Sequence, residues 1–392
     1  MEKTWRWFGG KDIITLDMLR QIGVEGVVTA LHNVPNGEIW TENAINEVKQ
    51  LIESHGLKWS VVESLPISEG IKYGSADRDL LIENYKASLA NLGKAGVKTV
   101  CYNFMPVIDW VRTDLMRKSE DGTYTLYFDK IRFVYFDCYI LKRADAEKDY
   151  ADSEMNQVRA LHQTITQEEK DDLINTIIMK TQGFIHGNFK EDDDNPVQKF
   201  RDLLSLYQEV DINRLRANLQ YFLEKVIPVA EAYDMNLCIH PDDPPFAVFG
   251  LPRIVSSESD IDWLLASVDN PLNGLTFCAG SLSAGMHNDV LALARKFAKR
   301  THFVHLRSTN VLQNGDFVEA SHLSGRGQLI DLIRIFEQER PSLPMRVDHG
   351  KLMLDDVNKP YNPGYSLLGR MYALAQVEGM MAVVRNELSR TK

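Results

Sequence analysis

Cysteine is scarce in this 392-residue chain, and its placement excludes a disulfide scaffold. Cys101, Cys138, Cys238 and Cys278 lie far apart and follow neither a disulfide-framework nor a zinc-ribbon spacing. Isolated thiols of this kind belong in a reducing compartment, so a cytoplasmic protein is expected. The segment Met1 to Trp7 is charged and aromatic, and no secretory signal is visible in it. No stretch approaches the about 18 uncharged apolar residues of a membrane span. Basic excess is missing too: the net charge is -11, and the one dense charge run, Glu191 to Asp194, is acidic. That argues against a nucleic-acid partner, which favours a basic face. An anionic substrate would therefore have to be met by a local positive site, built from a metal or from arginines. Internal repeats and low-complexity tracts are absent.

What remains is an ordinary globular composition, 44% hydrophobic and 25% charged, with ample chain for a large core. Eight short apolar runs alternate with amphipathic or polar segments, the pattern of parallel α/β folds. They are Trp5 to Phe8, Gly26 to Leu31, Lys58 to Val62, Lys98 to Tyr102, Met235 to His240, Gly274 to Cys278, Thr301 to Leu306 and Pro344 to Asp348. Helices are expected over Ile45 to His55, stopped by Gly56, and over Asp77 to Leu92, stopped by Gly93. The reading is an α/β chain forming a (β/α)8 TIM barrel, one catalytic domain over 1–392. The spacing breaks after the fourth run, where Asn103 to Asp234 far exceeds the about 30 residues of a barrel unit. Within it, residues 106–205 read as a largely helical insertion, with a mobile acidic loop near 190–196. Thr166 and Glu169 make a capping-box pattern, and Pro228 is expected to kink or shorten the helix running through Leu215, Leu219, Phe222 and Val226.

Reactive groups of a barrel sit where strands end and βα loops begin. The last four runs end at His240, at Cys278, one residue past His305 and at Asp348, each about one βα unit after the previous. Alone, each residue has a plain structural explanation: a hydrogen-bonded histidine, a buried small thiol, a turn aspartate. Together, at matching positions of successive units, they read as metal ligands. Two imidazoles, a thiolate and a carboxylate suit a first-row divalent ion and not calcium or magnesium. A structural zinc closed by these four, or a catalytic ion with open positions, both fit the chemistry. His349 follows Asp348 on the same rim, and Tyr365, in Asn-Pro-Gly-Tyr-Ser, reaches back over the mouth; both are candidate acid and base groups, though a loop tyrosine more commonly only packs. Arg307 and Arg346 could pair with a substrate carboxylate or hold an acidic side chain. His32, Asn33 and Asn103, at ends of the second and fourth runs, could bind hydroxyls or cap loops.

At these residues the chain resembles the mannonate dehydratases of hexuronate breakdown. The resemblance runs through Trp5-Arg6-Trp7-Phe8-Gly9, Val28 to His32 with Pro35-Asn36-Gly37, and Asn103-Phe104-Met105-Pro106 with Asp109-Trp110. It continues through Ile239 to Pro245, Phe277-Cys278, His302 to Arg307, Asp348-His349-Gly350 with Met353 to Asp356, and Asn362 to Ser366. The resemblance implies a xylose-isomerase-like barrel binding Mn2+, with Fe2+ or another first-row divalent ion as alternatives. Its ligands fall on His240, Cys278, His305 and Asp348, and its acid and base on His349 and Tyr365. Trp5 and Arg6, in the matched first segment, join His32, Asn103, Arg307 and Arg346 as expected substrate contacts. Two stretches depart: Ala279-Gly280-Ser281, where the family has Thr-Gly-Ser, and His322 to Arg326, where Arg326 stands in place of an aspartate. Both bear on loop conformation, oligomer contacts or substrate range, not on reaction type.

The activity implied is loss of water from D-mannonate, a small sugar acid, to give 2-dehydro-3-deoxy-D-gluconate, by a homo-oligomeric enzyme of hexuronate (glucuronate) catabolism. The alternative is a metal-dependent sugar or sugar-acid isomerase or epimerase on the same barrel. Such an enzyme more often uses carboxylate-rich ligands, which Cys278 opposes. A non-catalytic sugar-acid binder would not need His349 with Tyr365, and a barrel nuclease would want a basic surface.

Overall fold

The structure, a computed structural model, describes residues 1–182, 189 and 193–390. Eight parallel strands close into a barrel: β1 (Glu2–Arg6), β2 (Gly26–Thr29), β3 (Lys58–Glu63), β4 (Thr99–Tyr102), β7 (Asn236–Ile239), β8 (Asn273–Cys278), β9 (Thr301–Leu306) and β12 (Pro344–Val347). The order is β1-β12-β9-β8-β7-β4-β3-β2, and β1 closes on β12 with Thr4 opposite Arg346. These are the eight apolar runs of the sequence. β1 lies a few residues earlier than expected, because its ladder starts where Glu2 meets Pro344.

Side chains alternate in and out along each strand, which sorts the barrel interior into layers. Val28, Val61, Cys101, Cys238 and Phe303 form a small apolar cluster separate from the main core. Two residues further along the same strands come Glu63, Asn103, His240 and His305, facing the same way and therefore one pleat higher. The residues between them, such as Val62, Tyr102, Ile239 and Val304, belong to the main core outside the barrel wall.

Beyond β4 the chain makes a hairpin, β5 (Asp114–Lys118) and β6 (Tyr124–Phe128), before turning helical. Helices then cover most of the described stretch to Tyr233, including Asp152–Thr164, Gln167–Ile174, Pro196–Ser205 and Ile212–Tyr233. Thr166 and Glu169 make the expected reciprocal cap. Of the expected acidic loop, residues 190–192 lie outside the described residues, while Lys199 pairs with Asp193 at 2.8 Å and Asn195 caps the next helix.

Three local expectations change. Pro228 does not shorten its helix, which runs through to Tyr233; Val226, Ile227 and Ala230 are buried around it, and that packing offsets the about 3 kcal/mol that an interior proline costs. Gly93 is not a stop either, since its helix continues to Lys94. A Cβ there would stand 2.5 Å from Cβ of Tyr233, so glycine permits the close approach of two helices. Unforeseen altogether was a second sheet, ordered β10-β11-β6-β5, with β10 (Thr309–Val311) and β11 (Phe317–Glu319) supplied by the loop after β9. Phe128 and Phe317 stack across it at 4.9 Å. Tyr124 also bridges to Leu352 through two backbone bonds of 2.8 Å, tying the hairpin to the loop after β12. Among the described residues no helix is long and apolar enough to cross a membrane.

Candidate active site

His240, Cys278 and His305 project from the ends of three neighbouring strands, and one donor atom from each lies within 4.8 Å of the others. Nδ1 of His240 is 2.6 Å from the carbonyl of Pro241. A carbonyl only accepts, so Nδ1 carries a hydrogen and Nε2 is the nitrogen left for a ligand, the usual orienting device behind a ligating histidine. Burial lowers the pKa of His240, but the facing Cys278 more than reverses this and lifts it to about 10. The sulfur of Cys278 accepts from the hydroxyl of Ser281 at 3.1 Å and from its N–H at 3.5 Å. Nε2 of His305 is buried, faces Oε1 of Glu63 at 3.4 Å and makes no hydrogen bond. Two imidazoles converging with a thiol are a donor set that a first-row divalent ion would satisfy.

Asp348 stands beside this trio and outside it. Its Oδ2 lies 3.8 Å from the sulfur of Cys278 and 3.9 Å from Nδ1 of His305. Arg346 donates to Oδ1 at 2.5 Å and Arg307 to Oδ2 at 3.4 Å. Burial opposes its charge, but Arg346, His349 and His305 hold the carboxyl well below its usual range. His349 and Tyr365 flank the same oxygen, with Nε2 at 3.8 Å and the phenol at 3.5 Å, and their rings meet edge to face at 5.3 Å. The phenol of Tyr365 is pushed up by burial and by Asp348, against the pull of Arg346 and Arg6. Lys351, nearby in sequence, is engaged instead with Asp121 at 2.6 Å.

One cavity is lined by His240, Asp348, His349 and Tyr365 with Arg6, Asn103, Arg307 and Arg346. Trp5 and His32 are not brought to it. Trp5 neighbours Arg6 on one strand, so the two must face opposite sides of the wall, and Trp5 lies under the guanidinium of Arg370 at 4.0 Å. His32 packs against Phe8 at 5.9 Å and borders a separate groove.

Sequence reasoning missed four acidic residues here. Glu63 takes a two-pronged bond from Arg346 at 2.9 and 3.0 Å and lies 3.1 Å from Arg6. Ending the third run one residue later would have found it. Asp243 binds Arg112 at 2.9 Å and Arg307 at 2.8 Å. Asp109, its pKa raised by burial, accepts from Asn103 at 2.8 Å. Glu319 comes from the second sheet, and no motif marked it. Nη2 of Arg307, buried and without a hydrogen-bond partner, borders this network.

A closed parallel barrel with imidazole, thiol and carboxylate donors at the carboxyl ends of its strands defines a (β/α)8-barrel enzyme with a candidate metal centre. The family model described as D-mannonate dehydratase (UxuA) matches residues 1–391. The chain belongs to that family and is a dehydratase. It is 44% identical to a mannonate dehydratase of Marinomonas sp. (strain MWYL1), over 99% of this chain and 100% of the relative. The solved mannonate dehydratase from Streptococcus suis serotype2 is 31% identical, with a TM-score of 0.78 over 99% of this chain and 95% of that one. A D-tagatose 3-epimerase-like protein, 8% identical with a TM-score of 0.54, shares the fold alone over 99% and 100% of the two chains.

Proposed function

We propose that the chain removes water from D-mannonate to give 2-dehydro-3-deoxy-D-gluconate, with a divalent ion, Mn2+ or Fe2+, held by His240, Cys278, His305 and Asp348. The observation that carries this reading is the clustering of the three donors beside Asp348, at a cavity that His240, Asp348, His349 and Tyr365 line. When bound, such an ion withdraws charge from the substrate's oxygens and eases loss of the weakly acidic proton beside the carboxylate. The unsatisfied Nη2 of Arg307 supplies a donor for that carboxylate. Arg6 and Asn103 face the hydroxyls. His349 and Tyr365 divide the proton transfers, one removing the proton and the other protonating the departing hydroxyl.

The setting follows from the same reading. It is a cytoplasmic enzyme of hexuronate catabolism, consistent with four free thiols, and it assembles as a homo-oligomer. Residues 1–392 act as one catalytic domain in which the 106–205 insertion walls the mouth or makes a subunit contact. Its Arg112 already reaches Asp243 and Glu319.

The decisive experiment incubates the purified protein with D-mannonate, with and without Mn2+, and follows a 2-keto-3-deoxy acid. Metal-stimulated product is expected. Equal turnover after thorough chelation, or full metal occupancy in a His240→Ala, His305→Ala double mutant, would remove the metal site from the reading.

A further inference from the structure

His349 is held on three sides. Its ring stands 5.3 Å from Tyr365 and 5.3 Å from Trp110, and its Nδ1 lies 3.2 Å from Oε1 of Glu319. Glu319 is the buried last residue of β11. Its Oε2 accepts from Nε of Arg307 at 2.7 Å, and its Oε1 also accepts from Nη2 of Arg112 at 3.1 Å. Burial opposes charge on Glu319, yet Arg307, His349 and Arg112 outweigh it and bring the pKa down to about 2. A carboxylate only accepts, so the hydrogen between it and the ring belongs to Nδ1. In the neutral imidazole Nε2 then carries a lone pair. That nitrogen lies on the side of Asp348, 3.8 Å from Oδ1.

We propose that Glu319 is the positioning residue of a carboxylate–histidine pair: it fixes the tautomer of His349 so that Nε2 accepts the substrate's proton, and it offsets the charge the ring then gains. The logic is that of an acidic group orienting a histidine base. It rests on the proposed role of His349. In the step, the C–H bond beside the carboxylate breaks and Nε2 takes the proton. The electron pair moves into the new C=C bond, and the hydroxyl leaves as water with the proton of Tyr365. The enol so formed gives the 2-keto acid by tautomerisation, and solvent exchange returns His349 and Tyr365 to their starting states.

Glu319 also holds two arginines, so its loss must be read through His349 specifically. The experiment compares Glu319→Gln, His349→Asn and the double mutant as metal-loaded enzymes, measuring kcat and KM for D-mannonate together with bound metal. In zinc-loaded protein labelled with 15N-histidine, long-range spectra report which nitrogen of His349 is protonated, the His349→Asn protein identifying its signals. Glu319→Gln should lower kcat about 10- to 100-fold with KM within about threefold, and should add little to His349→Asn. The Nδ1 proton should redistribute toward Nε2. Equal fold-losses in both backgrounds, a rise in KM at unchanged kcat, or an undisturbed Nδ1 proton would assign Glu319 to the arginines and overturn the proposal. A near-normal kcat in His349→Asn itself would instead overturn the underlying role of His349. Should Glu319→Gln fail to fold, the same cycle with Glu319→Asp, which keeps the charge but withdraws it from Nδ1, is read by the same criteria.

Discussion

Two layers of the barrel interior, one pleat apart, differ in almost every physical respect. The lower layer is Val28, Val61, Cys101, Cys238 and Phe303, apolar and buried. The layer above carries Glu63, His240 and His305, with Arg346 and Asp348 beside them, every one paired or facing a donor. Strand periodicity alone makes the switch: the same strands that close the core below present chemistry two residues later. The lower layer is held by burial, which tolerates no gap. The upper one is held by charge pairing, in which removing one partner strands the other. Damage to the two should therefore be distinguishable.

The largest effects are expected above. His349→Asn and Tyr365→Phe should each lower kcat by at least about a hundredfold. Metal content and substrate affinity should change little, because neither side chain is proposed as a ligand. Near-normal turnover in both would erase the chemical distinction between the layers.

Below, Phe303→Ala should cost about 3–5 kcal/mol of stability, measured by denaturant unfolding. Phe303 stands edge-on to His305 at 4.7 Å, so some loosening of metal binding is expected as well. A variant that keeps its stability but loses turnover would show that the lower layer is not simply structural.

Cys278→Ala tests the boundary between them. Metal retention should weaken by more than the about 10- to 100-fold that an outer-shell change costs, while the metal-free barrel keeps its fold by circular dichroism. Dialysis against a competing chelator reads the first quantity.

A smaller effect is expected at Arg326, outside both layers. It donates to the carbonyls of Ser283 at 3.0 Å and of Gly285 and Asn288 at 3.3 Å. The departure from the family pattern is thus a staple between the loops after β8 and β9, which an aspartate could not make to carbonyls. Arg326→Ala should cost about 1–3 kcal/mol, with kcat close to that of the parent; an unchanged unfolding midpoint would show the staple to be idle.

Legibility in the sequence divided along physical lines. Parallel strands buried on both faces are continuous apolar runs, so all eight could be read. Their ends gave His240, Cys278, His305 and Asp348 without any contact map. Strand facing was not used, and Trp5 was therefore set beside Arg6 although neighbours on a strand cannot share a side. The three-residue strands β10 and β11 carry too little pattern to be seen, and β11 pairs with a hairpin nearly two hundred residues earlier, Phe317 opposite Phe128. Glu319 and Arg112 depend on that pairing, which is why the network behind His349 left no trace in local spacing. Gly93 misled for a related reason: its use is a contact with Tyr233, distant in the chain.

The seam between β1 and β12 has a consequence for how the molecule comes into being. The ammonium of Met1 pairs with Glu337, 336 residues away, at 2.5 Å, and Thr4 donates its hydroxyl to the carbonyl of Met345 at 2.8 Å. During synthesis the first strand waits, with its edge open, until β12 has been made. Glu63 likewise waits for Arg346, and the trio of donors has no Asp348 beside it. A ribosome-bound fragment ending before residue 344 therefore holds the three candidate donors on an unclosed wall, without Arg346 or Asp348 beside them.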